Sequence, residues 1–96
     1  VELHTGAYAD AANTQARGHE LSRLQKAAGL AHGCGLVVNG GHGLNLENVA
    51  SVAAIEEIVE LNIGHSIVAR SMFVGIQEAT REMFEACRRA RQGPPR

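Results

Sequence analysis

At 96 residues the chain is the size of one domain or part of one, so two independent domains are set aside. Apolar residues at 45% and charged residues at 20% exclude a disordered chain, and nine Lys and Arg against ten Asp and Glu give a net charge of −1 that provides no general attraction to nucleic acid or anionic lipid. Eleven Gly, only one Tyr and two Phe, and no Trp are a thin supply of packing residues for a small independent domain, which points to a fragment.

The opening Val1-Glu2-Leu3-His4 reads as the end of a strand with nothing before it, and we expect processing or truncation to have removed the beginning. The turn-rich stretch Thr5 to Asp10 follows, and then a helix to about His32. Leu21, Leu24, Ala28 and Ala31 recur at spacings of three and four and so share one helical face. Gly33 and Gly35 supply the stop. The second unit repeats the plan: Leu36-Val37-Val38-Asn39 as a short buried strand, Gly40 to Leu44 as its exit loop, and Asn45 as N-cap of a helix over about Leu46 to Ala54, with Glu47 favourable in the first turn. The third is a strand over Glu60 to Ile63, the turn Gly64-His65-Ser66, and one helical run to about Gln92. Its inner stripe is Met72, Gly75, Ile76, Ala79, Met83 and Cys87, and Gly93-Pro94-Pro95 ends it, leaving residues 93–96 as a disordered tail.

Strand, loop and helix three times over predict an α/β fold, with parallel strands joined by crossover helices and the sheet either flat or closed. Cys34 and Cys87 lie far apart without a CxxC pair, which fits a reducing cytosol and inert thiols. No uninterrupted apolar stretch approaches the roughly 18 residues of a membrane span, so a soluble, cytoplasmic protein is expected.

Ligands of parallel α/β folds sit at the carboxyl ends of the strands. Each of the three expected ends carries a histidine, His4, His42 and His65, spaced by roughly one βα unit, so all should face one rim. Glu2 lies two residues before His4 and points to the same side of the strand. Asn39 and Asn62 add polar groups near the other two ends. Gly40-Gly41-His42-Gly43 has the composition of an anion-binding loop, and Gly64-His65-Ser66 precedes a helix whose first N–H groups favour an anion. Two such turns in succession match the phosphate site of (β/α)₈ barrels, formed after strands seven and eight, and make this chain the last three-eighths of a barrel of about 250 residues. A Gly-rich turn can also be only a tight connection. The three histidines with Glu2 resemble a zinc donor set, but no HxH or HxxxH pair supports it. His19 and His32 read as helix-surface residues, and Arg88, Arg89, Arg91 and Arg96 as a solvated basic end that complements a helix C-terminus.

Glu2-Leu3-His4-Thr5-Gly6 with Tyr8-Ala9, then Asn39 to Leu44 with Asn48-Val49, then Leu61 to Ser66 closely resemble the C-terminal part of the pyridoxine 5′-phosphate synthase family, over nearly the whole chain and in the right order. Gly40 stands where that family usually has Ala, and Ala7 where Cys is common. The resemblance implies that residues 1–96 are a partial (β/α)₈ (TIM) barrel domain, the C-terminal three βα units. It implies an enzyme condensing 1-deoxy-D-xylulose 5-phosphate with 3-amino-2-oxopropyl phosphate in vitamin B6 biosynthesis, with no metal or redox cofactor. The implied assembly is a cytoplasmic homo-oligomer, typically an octamer, with phosphorylated small molecules as its ligands and neither nucleic acid nor membrane as partner. His42 would be the catalytic proton donor and Glu2 the carboxylate that stabilises a transition state, while Gly43, Gly64 and His65 would bind the amino-ketone phosphate. The family's other catalytic residues lie in its N-terminal part, so the fragment alone is expected to be inactive. The competing readings are another phosphate-binding barrel enzyme, which keeps the phosphate ligands and reassigns His42, and a non-catalytic phosphometabolite-binding module.

Overall fold

The computed structural model describes residues 1–92; the expected tail at 93–96 lies outside them. The elements in chain order are β1 (Glu2–His4), α1 (Gly6–Ala9), α2 (Thr14–Gly33), β2 (Val38–Gly41), α3 (Val49–Ala53), β3 (Ile58–Asn62), α4 (His65–Val74) and α5 (Ile76–Gln92). The three strands form one parallel sheet in the order β1-β2-β3, as the repeated plan predicts.

Register decides what the sheet presents. Leu3, Gly40 and Leu61 lie side by side across the strands, as do Glu2, Asn39 and Glu60, and His4, Gly41 and Asn62. Neighbours in a row point to the same face, and successive rows alternate. The Leu3 and Leu61 side chains join Val38 and Ile58 in a core completed by Leu24 and Ala28 of α2, Val49 and Val52 of α3, and Met83 of α5. The rows that carry Glu2 and His4 face the other way. A register irregularity beside Val38 leaves Val59 without a partner on β2, so Ile58 stays in the core while Val59 is 68% exposed.

Several local expectations need correction. The stretch after β1 is not only a turn: Gly6–Ala9 forms the short helix α1, and the buried Tyr8 hydroxyl donates to the Asn48 carbonyl. Helix α2 begins at Thr14 instead of directly after Asp10, because the Asn13 side chain accepts from the Ala16 N–H at 2.8 Å and caps it. At its other end Gly33 is helical and Gly35 is the stop. Gly35, at φ 80°, donates to the His32 carbonyl while the Leu36 N–H reaches back to that of Ala31, the Schellman arrangement.

The second strand is displaced from Leu36–Asn39 to Val38–Gly41; Leu36 and Val37 are exposed, and both Gly40 and Gly41 belong to the ladder rather than to the exit loop. Asn45 caps a turn, not the start of α3. Its Oδ1 accepts from the N–H groups of Glu47 and Asn48, the Asn48 Oδ1 accepts from the Asn45 N–H, and the helix is delayed to Val49. Short polar side chains here satisfy the backbone in place of a helical turn.

The third strand likewise starts earlier than expected, at Ile58, and ends at Asn62. The single helix expected after it is two. Gly75, at φ 86° and ψ 157°, separates α4 from α5, and the stripe breaks there: Ala79 and Met83 are buried, but Met72 and Ile76 are exposed. Arg91 is no solvated tail residue either, since its guanidinium donates to the carbonyls of Ala53, Ile55 and Glu56 and ties α5 to the connection after α3. Cys34 and Cys87 are free thiols, and burial pushes the half-buried Cys87 thiol up, away from the reactive thiolate. Among the described residues no helix is long and apolar enough to cross a membrane.

Candidate active site

The carboxyl ends of the three strands open onto one recess of about 600 Å³, within the range of small-molecule sites. His4, His42 and His65 all line it, with Glu2, Gly43 and Gly64. The common rim inferred from spacing therefore exists, while His19 and His32 lie exposed on α2. Asn62 lines the recess as well, whereas Asn39 does not. Among the described residues no group of three or more His, Cys, Asp or Glu stands close enough to hold a metal ion.

Each group that lines the recess has a local cause. The Glu2 carboxylate on β1 accepts from the Asn62 Nδ2 on β3 at 3.2 Å, although a whole strand lies between them. Gly41 makes that reach possible: a Cβ there would come within 2.7 Å of both the Glu2 Oε1 and the Asn62 carbonyl oxygen. The glycine expected in the exit loop thus serves as a clearing in a strand.

His42 follows at φ 101°, alone among the described non-glycine residues in having positive φ, and Gly43 continues at φ 75°. Such a backbone is costly for a side-chain-bearing residue and persists only where its neighbours hold it. Thr5, fully buried, does so on two sides, its N–H donating to the Gly41 carbonyl at 2.9 Å and its Oγ1 to the His42 carbonyl at 2.6 Å. The His4 and His42 rings are stacked, 4.3 Å between centroids and 26° between planes.

Across the recess α4 points its amino end inward. Gly64 occupies the N-cap position and no side chain caps the helix, so its first N–H groups are available to an anion. A Cβ at Gly64 would meet nothing within 4 Å. The Ser66 hydroxyl donates to the Leu44 carbonyl at 2.8 Å, fixing this turn to the loop after β2. Sequence reasoning missed Thr5, Gly6, Asn48 and Ser66 as supports. The available signal was a Thr at a strand end and paired Asn residues in a loop, both of which favour side-chain to backbone bonds.

The chain matches the family model of the pyridoxal phosphate biosynthesis protein PdxJ over residues 1–89. It is 58% identical over 92 residues to a pyridoxine 5′-phosphate synthase of Thioalkalivibrio sulfidiphilus, covering 96% of this chain and 37% of that protein. A protein of the same name from Prochlorococcus marinus is 56% identical over 94 residues, 98% of this chain and 38% of its own length. One from Legionella pneumophila is 50% identical over 91 residues, 95% and 37% respectively. The chain spans little more than a third of the length of the curated relatives it matches. With residues 1–89 of the chain matched by the family model, the chain belongs to the PdxJ family of pyridoxal phosphate biosynthesis proteins.

Proposed function

We propose that this chain is the C-terminal part of a pyridoxine 5′-phosphate synthase, which joins 1-deoxy-D-xylulose 5-phosphate to 3-amino-2-oxopropyl phosphate and releases inorganic phosphate and water. The observation that carries the proposal is the single recess at the strand ends, where Glu2, His42, Gly43, Gly64 and His65 meet. His42 is the proton donor. Ring closure by successive dehydrations needs a group that exchanges protons near neutral pH, and an imidazole at the mouth of a strand suits that task. The N–H groups of Gly43 and Gly64, with His65 at the amino end of α4, hold the phosphate of the amino-ketone, and the Glu2 carboxylate stabilises positive charge as the ring forms.

The sheet is three strands of a (β/α)₈ barrel, and residues 1–96 form part of that one domain. Two observations support this. The strand order follows the chain without the reversal that marks a doubly wound sheet, and the core helices pack on one face while the other presents the polar row of Glu2, Asn39 and Glu60. By the same resemblance the protein acts in the cytoplasm as a homo-oligomer on phosphorylated small molecules.

The test is to assay the full-length protein carrying this segment for pyridoxine 5′-phosphate, beside its His42→Asn variant. Asn tolerates positive φ better than most side chains, so the loop should survive the change. Product from the parent and a loss of about 10²- to 10⁴-fold in the variant are expected. A full-length parent that yields no product overturns the reading.

A further inference from the structure

The imidazole proposed to donate the proton has no hydrogen-bonded orienter. Among the described residues none makes a hydrogen bond to either ring nitrogen of His42, whereas a histidine that carries a proton to one place generally has its ring held through the other nitrogen. What touches the ring instead is His4, stacked on it at 4.3 Å. His4 is itself fixed: its Nδ1 accepts from the Gly6 N–H at 3.3 Å. That bond requires a lone pair on Nδ1 and leaves the ring proton of the neutral form on Nε2. Gly6 closes the arrangement from below, since a Cβ there would lie 2.6 Å from the His4 Cε1 and 2.9 Å from the His42 Cδ2.

We propose that His4 is the positioning residue of this site: its flat ring, stacked on the His42 imidazole, sets the plane of that imidazole and so the direction in which the proton is delivered. The inference rests on the reading of His42 as the proton donor and adds a residue to it. It also explains why Gly6 stands next to the strand end, where any side chain would drive the two rings apart.

The experiment uses the full-length protein with His4→Leu and His4→Phe, both large enough to occupy the space, beside the parent and His42→Asn. Leu removes the flat face, and Phe restores it without a titratable nitrogen. A misaimed reacting group costs up to about a hundredfold, so His4→Leu should lower kcat by about ten- to a hundredfold with KM for the amino-ketone phosphate unchanged, and His4→Phe should recover most of the loss. Thermal melts of both variants close to the parent's exclude a simple folding defect. His4→Phe as slow as His4→Leu overturns the inference, because a ring nitrogen would then be needed. His4→Leu at the parental rate with His42→Asn inactive overturns it while leaving the proton donor in place. His42→Asn at the parental rate overturns the donor assignment and the inference together.

Discussion

His42 at φ 101° holds roughly 1–3 kcal/mol of backbone strain, and the buried Thr5 bonds are what sustain it. Fixing the His42 side chain on a strained turn keeps it at the rim of the recess. Gly41 shows the same logic in a strand, where absence of a side chain lets Glu2 lie across to Asn62. In Gly41→Ala the new methyl would meet a backbone oxygen at 2.7 Å, so β2 and β3 must separate. We expect a stability loss of about 1–3 kcal/mol in urea unfolding and a drop in turnover, the usual cost of overpacking. Unchanged unfolding and unchanged rate would show that the strands yield freely. At this scale the histidines, Glu2 and the glycines of the turns were legible in the sequence, because strand-end position and residue chemistry are local facts. Thr5 and Gly6 were not, because their importance comes from contacts with His42, far along the chain.

At the scale of elements, hydrophobic spacing located α2 and α5 and failed at their junctions. Two glycines of the third and second units behave oppositely. Gly75 occupies φ 86° and ψ 157°, a region open essentially to glycine alone, and Gly75→Ala should lose roughly 1–3 kcal/mol of stability. A Cβ at Gly40, where the resembled family usually has Ala, would meet the Leu61 and Ile58 side chains at 3.5 and 3.6 Å, ordinary contact distances. Gly40→Ala should therefore gain about 0.4–1 kcal/mol by reducing the freedom of the unfolded chain. Denaturant midpoints of the two variants moving in the same direction would contradict this account. The displaced boundaries of β2, α3 and β3 share a cause: pairing between strands and side-chain bonds from Asn45 and Asn48 override local propensity.

On the scale of the whole molecule, both β1 and β3 are edges, and Val59, Phe73 and Phe84 remain 65% exposed or more. A sheet edge and uncovered apolar side chains invite pairing with another chain. We expect residues 1–96 expressed alone to self-associate in sedimentation velocity and to form no pyridoxine 5′-phosphate, and the full-length protein to correct both. A monodisperse, fully active segment would refute this. Composition and repetition by themselves determined the α/β class, the parallel sheet and the rim of three histidines, since strand-helix alternation and period-two geometry are written into consecutive residues. Only the tertiary structure decided that Glu2 reaches Asn62 over Gly41, that His4 lies flat against His42, and that the last helix breaks at Gly75. The first two depend on strands distant in sequence lying side by side in one sheet, and the third on a backbone angle that glycine permits but does not require.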